Sequence, residues 1–252
     1  MKTEWDYTAL ADAYLKRPDY AGQAIDTMLA RVGLNGGMAC DIGAGTAHLT
    51  RMLAQRSWSV LAIEPNPAMR RIGIGRTAMH RSVRWAEATG ETTGQADRAF
   101  DLVTFGSSFN VCDRPQALRE AARILKPGGW LACLWNHRRL DDPLQHRIEL
   151  TIREQVPAFA HGTRRVDQAP VIAASGRFEP AQSIEAAFTH TQSIADCVEA
   201  WRSHATLARQ AGSRFLEVVG LIERVLRRHA IEPLHVPYTT VITMARLARA
   251  GE

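Results

Sequence analysis

Apolar side chains along this chain keep two alternating rhythms. Ile25, Met28, Leu29 and Val32 recur at helical spacing and Asn35-Gly36-Gly37 supplies a stop, so the first forty residues read as helix. Short, almost wholly apolar runs then alternate with amphipathic stretches. MACDI (38–42) reads as a strand, followed by a glycine-rich turn and a helix through Leu49, Met52 and Leu53. WSVLAIE (58–64) precedes the helical PAMRRIGIGRTAM, and SVRWAEA (82–88) leads through a polar loop to FDLVTFG (100–106). The helix RPQALREAARIL (114–125) meets the breaker KPGG (126–129), and WLACLWN (130–136) returns as a strand. Strands apolar at nearly every position are buried on both faces. The alternation therefore predicts an α/β fold, a parallel sheet with helices on both sides.

After about residue 140 the rhythm changes. Leu144, Ile148, Ile152 and Val156 predict a helix, followed by the polar loop HGTRRVDQAP. A strand-like piece spans about Phe178–Phe188, and helical patterns cover roughly 195–210 and 213–229. LHVPYTTVITMARL (234–247) alternates and is β-branched, which predicts a strand that joins the sheet late. The chain reads as a single domain over 1–252. About 1–136 form one functional half, and about 137–252 complete the sheet and supply a helical lid or insertion, where α/β folds usually carry specificity.

Composition narrows the classes. With 252 residues, 46% apolar and 23% charged, the chain is too apolar for disorder and too cysteine-poor for a disulfide scaffold. No apolar run is long enough to span a membrane and MKTEWDYTAL has no signal-peptide core, so a soluble, cytoplasmic protein is expected. The net charge of +5 raises the question of a polyanion partner. Yet 28 of the 31 basic residues are arginine, scattered apart from doublets such as Arg138-Arg139 and Arg164-Arg165. A solvated background explains them better than a nucleic-acid site. Cys40, Cys112, Cys133 and Cys197 lack metal or CxxC spacing and read as reduced thiols. No histidine or carboxylate pattern suggests a metal.

The candidate chemistry lies where the first strand gives way to a helix, in Asp41-Ile42-Gly43-Ala44-Gly45-Thr46. Glycines there allow a tight turn and close approach of a ligand to the backbone. Glu64 ends the second strand 21 residues after Gly43, where an acid can accept hydrogen bonds from both ribose hydroxyls. Turn, acid and sheet order together indicate a nucleoside-containing cofactor. A dinucleotide fingerprint needs a third glycine, and His48 stands in its place. Asp41 would repel a diphosphate but suits an ammonium group, which favours S-adenosylmethionine over NAD.

These segments resemble the class I S-adenosylmethionine-dependent methyltransferases of the small-molecule type. The matching pieces are DIGAGTAHLT, AIEPNPAMR, the AEATGETTG loop, FDLVTFGSSFN, ALREAARILKPGGWLACLWN and the N-terminal YLKRPDY (14–20). The resemblance implies a Rossmann-like, mostly parallel seven-stranded sheet. It also implies S-adenosylmethionine as methyl donor, with S-adenosylhomocysteine as product. It places Asp41, Gly43 and Gly45 at the amino-acid end of the cofactor with Thr46 near its carboxylate, and Glu64 on the ribose. Pro65 and Met69 would flank the adenine, Thr89, Gly90 and Glu91 border its edge, and Ser107 lie near the methionine moiety. Tyr14 and Arg17 either close over the cofactor or pack as a simple lid. The family commonly has glycine where this chain has Ala47.

In-line methyl transfer rests mainly on holding the acceptor's lone pair against the methyl group. Strand ends offer Asn110 and His137 on the acceptor side: Asn110 to hold a polar group or to cap a helix, His137 as a base or as an ordinary strand-end histidine. The arginine doublets are candidates for a carboxylate or phosphate on a small, possibly anionic, acceptor, each beside its reading as a surface residue. The ranking is a small-molecule methyltransferase first, an RNA or protein methyltransferase second, and a non-catalytic S-adenosylmethionine-binding protein third.

Overall fold

A computed structural model describes residues 7–249; residues 1–6, the start of the stretch read as helix, lie outside it. The N-terminal stretch is broken rather than continuous. α1 (Ala11–Tyr14) is one short turn, residues 15–21 are non-helical around Pro18, and α2 (Gly22–Val32) follows. α2 stops earlier than expected, at Gly33, whose φ of 77° no side chain adopts readily.

From there the predicted alternation holds: β1 (Met38–Ile42), α3 (His48–Ala54), β2 (Ser59–Ile63), α4 (Pro67–Thr77), β3 (Val83–Ala86), β4 (Phe100–Gly106), α5 (Arg114–Ile124) and β5 (Leu125–Arg138). The remainder comprises α6 (Pro143–Gln155), α7 (Ala169–Ala174), β6 (Gln182–Gln192), α8 (Ile194–Arg202), α9 (Ala205–Ala211), α10 (Phe215–His229) and β7 (Leu234–Arg246). The seven strands form one sheet in the order β3-β2-β1-β4-β5-β7-β6. β1 to β5 pair in parallel, while β7 runs antiparallel to both β5 and β6.

Period-two sorting of the strand residues builds two cores. Ala39, Val60, Leu102, Ala132 and Leu134 face α2 and α3, whereas Cys40, Ile63, Val103, Leu131 and Cys133 face α5. A third cluster joins α6, α8 and α10 to Leu234, Val236 and Tyr238 at the start of β7. Cys40, Cys133 and Cys197 are buried, Cys112 is half-buried, and all four are free thiols. Among the described residues no helix is long and apolar enough to cross a membrane.

KPGG is a bulge inside β5, not a loop between elements. Phe100 pairs Leu125 and Leu102 pairs Trp130, so the four residues are extruded between two ladder positions. Gly128 takes a φ of 76°, and Lys126 donates to both oxygens of Asp101 on the neighbouring strand at 2.8 and 2.9 Å. The polar stretch after α6 also differs from expectation. It contains a 3₁₀ turn (Gly162–Arg165) and α7. The helix expected over 195–210 breaks at Ser203-His204, where the His204 ring accepts from the Leu207 N–H and caps α9. β6 starts later than read, and Phe178 only bridges Leu247.

Candidate active site

Strand order reverses between β1 and β4, and a crevice opens there at the carboxyl ends of the parallel strands, the usual ligand position in open α/β sheets. It is a cavity of about 230 Å³. Tyr14, Arg17, Asp41, Gly43, Gly45, Thr46, Glu64, Pro65, Met69, Thr89, Gly90, Glu91 and Ser107 all line it. His137 lines it too. Asn110 does not, and borders only a small side recess beneath Tyr14 and Arg17.

The glycine turn is built for close approach. Gly43 and Gly45 hold φ of 67° and 56°, and a Cβ on Gly43 would stand 2.4 Å from that of Ser108. Gly43 and Ala44 donate to the Ile63 carbonyl, so the turn is stitched to the end of β2. Next along β2 comes Glu64. Its carboxylate accepts one backbone N–H on each oxygen, from Gly45 at 2.9 Å and Asn66 at 2.8 Å. Burial raises its pKa against these two bonds and nearby Arg70. Each oxygen keeps a lone pair free for a further donor.

Asp41 has a different place from the one its motif suggests. It is wholly buried under the turn, and its oxygens accept from Thr50 at 2.6 Å and Thr104 at 2.9 Å. Burial pushes its pKa up to about 6. Its hydroxyl partners tie β1 to α3 and β4, fixing the floor of the crevice. His48, in the third-glycine position, faces the Asp19 carboxylate at 2.7 Å and the Tyr14 carbonyl at 3.2 Å, and so fastens the N-terminal segment over the turn. Ala47 opens α3 with a φ of 70°, a left-handed conformation that glycine adopts more easily.

The N-terminal segment closes one side. Arg17 lies over the Tyr14 ring at 3.9 Å and donates to Ser203 Oγ and the Ser203 carbonyl at 2.7 and 2.6 Å. It therefore clasps α1 to the α8–α9 break. Tyr20 and Ser107 share a hydrogen bond of 3.1 Å at the end of β4. Asn110 neither caps α5 nor lines the main cavity: Asp113 is the cap, and Asn110 accepts from the Trp135 indole at 3.0 Å.

The far half of the cavity is assembled from distant segments: His137 and Arg138 of β5, Gln145 and Glu149 of α6, His161, Arg164, Trp201, His204 and Tyr238. Burial and the charges of Arg165 and Arg164 push the His137 pKa down to about 3, so its imidazole is neutral. Of the arginine doublets, Arg138, Arg164 and Arg165 line the cavity, Arg165 also donating to the Arg138 carbonyl, while Arg139 is exposed and paired with Asp141. Sequence reading missed Trp201, His204 and Tyr238, which carry no local motif.

Strand order and the crevice at the strand ends make this a Rossmann-like fold. Residues 40–133 match the family model described as a methyltransferase domain. An uncharacterized methyltransferase of Mycobacterium tuberculosis is 34% identical over 122 residues, 48% of each chain. A ubiquinone/menaquinone biosynthesis C-methyltransferase of Legionella pneumophila is 32% identical over 101 residues, 37% of this chain and 40% of that protein. The chain spans about half the length, or less, of these curated relatives. A solved structure of Haemonchus contortus phosphoethanolamine N-methyltransferase 2 with S-adenosyl-L-methionine shares the fold. Its TM-score is 0.57 at 15% identity, covering 98% of this chain and 59% of that one.

Proposed function

We propose that the protein transfers the methyl group of S-adenosylmethionine to a small molecule. The observation that carries this reading is the Gly43–Gly45 turn beside Glu64, a buried carboxylate with a lone pair left on each oxygen at the crevice mouth. The residues fit the cofactor: a Cβ would fill the turn at Gly43, and Glu64 presents acceptors suited to vicinal hydroxyls. Pro65 and Met69 would then flank the adenine, Thr89, Gly90 and Glu91 border it, and Thr46 and Ser107 meet the methionine portion. Asp41 acts from below, holding Thr50 and Thr104. When bound, the cofactor supplies a methyl group already activated by its sulfonium.

The chain's own residues have then to orient the acceptor and exclude water. The Arg17 clasp on Ser203 and the His48 clasp on Asp19 close the N-terminal segment over the crevice. Neutral His137 orients an acceptor group and serves as a weak base only, given how far its pKa is depressed. Residues up to about 136 serve the cofactor, and those beyond select the acceptor. Four free thiols fit a reducing, cytoplasmic setting. Calorimetry tests the reading: S-adenosylhomocysteine is expected to bind and NADH not to. The opposite result would overturn it, and formation of S-adenosylhomocysteine with any acceptor would remove the non-catalytic alternative.

A further inference from the structure

Unmet hydrogen-bond donors are concentrated in one half of the cavity. Arg138 Nε, Gln145 Nε2 and Trp201 Nε1 are buried without a partner, and all three residues line the cavity. Arg164, half-buried, lines it as well, and its guanidinium has no hydrogen bond or ion pair among the described residues. A partly desolvated cation without a partner, beside buried donors that are unmet, costs the fold free energy. Arginine does not escape by losing its proton. Such a group inside a cavity calls for an anion from outside.

The neighbours reinforce that reading. Arg138 has its Cζ over the Trp201 ring at 4.0 Å and 5.6 Å from the Tyr238 ring centroid, so aromatic faces hold the guanidinium in the cavity wall. His204 accepts from Leu207 N–H on Nδ1, which puts the proton of the neutral ring on Nε2. Burial and the charges of Arg164, Arg17 and Arg138 push its pKa well down, so it is a donor and not a cation. Glu149, the carboxylate of this half, is already committed to Arg153 at 2.8 Å and lies 3.2 Å from His161. Positive charge and donors are left in excess.

We propose that Arg164, Arg138 and His204 form an oxyanion-recognition site for a carboxylate or phosphate carried by the methyl acceptor. The proposal rests on the methyl-transfer reading, because it takes this half of the cavity to be the acceptor's. Planar, forked guanidinium groups match the oxygens of both anions, and the His204 N–H adds a neutral donor. The acceptor is thereby an acid or a phosphorylated metabolite rather than a purely apolar compound.

The test uses the full-length protein, calorimetry with inorganic phosphate and with benzoate in the presence of S-adenosylhomocysteine, and thermal unfolding. One or both anions are expected to bind, and Arg164→Met to weaken that binding about ten- to a hundredfold. The better-bound anion tells phosphate from carboxylate recognition. Without anion, Arg164→Met is expected to raise the unfolding temperature, because it removes a half-buried charge that has no partner, and a merely structural arginine would lower it. Arg138→Gln supplies a second variant with the same expected loss of anion binding. Failure of both anions to bind, or equal binding by wild type and both variants, would overturn the proposal. So would a loss of S-adenosylhomocysteine affinity in Arg164→Met as large as the loss for the anion, which would assign Arg164 to the cofactor's own carboxylate. Anion binding that depends on Arg164 without any S-adenosylhomocysteine binding would support the anion site and overturn the methyl-transfer reading alone.

Discussion

The two halves of the cavity are built on opposite principles. On the β1–β2–β4 side, each functional group is fixed by a neighbour close in sequence or on an adjacent strand, and its polar atoms are met. Glu64 accepts from Gly45 and Asn66, Asp41 from Thr50 and Thr104, and Ser108 donates to the Ile42 carbonyl. On the β5–β7 side the wall is gathered from α6, the 3₁₀ turn, the α8–α9 break and β7, and donors remain unmet. Among the described residues, every buried side-chain N or O atom without a partner belongs to a residue from Arg138 onward. The difference teaches that one half is preorganised for a fixed ligand, while the other keeps groups in reserve for a variable one.

Gly43→Ala should break the preorganised half most severely. The new methyl group would stand 2.4 Å from Ser108 Cβ while forcing a side chain into a φ of 67°. Overpacking and left-handed strain together predict a loss of about 2–4 kcal/mol. Urea unfolding should register it, with S-adenosylhomocysteine binding abolished. Wild-type stability and intact binding in this variant would mean that the turn is not a tight cradle.

Asp41→Asn probes the floor through pH. Asp41 titrates near 6 in the folded protein, above its ordinary carboxyl value, so its favourable contribution is complete below about pH 4 and is lost as pH rises through 6. The shift corresponds to about 3 kcal/mol. Half-buried His137 and His204 act with the opposite sign, since their depressed pKa values remove stability as pH falls below about 6.5. The informative quantity is therefore the stability difference between Asp41→Asn and wild type at pH 4 and at pH 8. It should shift in favour of the variant at the higher pH, and a difference that does not change with pH would refute the assignment.

Glu64→Gln sharpens the division between the halves. It keeps shape but removes the charge that strengthens the carboxylate's hydrogen bonds. S-adenosylhomocysteine affinity should fall about tenfold or somewhat more, as expected for about 1.5–3 kcal/mol. Phosphate or benzoate binding should stay within about threefold, because charged groups of the acceptor half do the holding there. Equal losses in both titrations would show the two halves to be one coupled site.

The same division explains what the sequence made legible. The parallel sheet, the glycine turn and Glu64 are readable because each depends on residues adjacent in the chain, and every cofactor-side residue expected from the motif does line the crevice. Asp41 is a partial exception. Its motif suggests a group facing the ligand, but Thr50 and Thr104 lie close enough to claim both oxygens. Asn110 sits away from the main cavity for a similar reason, since its Trp135 partner on β5 is 25 residues away. Arg164 and Arg165 are adjacent and look equivalent in sequence. Both border the cavity, but the 3₁₀ turn ties Arg165 to the Arg138 carbonyl and leaves Arg164 without such a bond. No local pattern encodes that choice, because it depends on how α6, α8 and β7 meet.

Ala47 gives the smallest and most delicate test of the preorganised half. Its φ of 70° costs an L-residue about 1–2 kcal/mol relative to glycine, yet it is fully buried at the start of α3. Ala47→Gly relieves the strain but loosens the unfolded chain, which returns about 0.5–1 kcal/mol. The balance predicts a gain of no more than about 1.5 kcal/mol, or a rise of at most about 6 °C in unfolding temperature. Cofactor affinity should stay within about threefold, because the neighbouring Gly43 and Gly45 already define the turn. A marked fall in S-adenosylhomocysteine affinity would instead mean that the methyl group of Ala47 helps to set the turn. The departure from glycine would then be a feature of this site, not a tolerated strain.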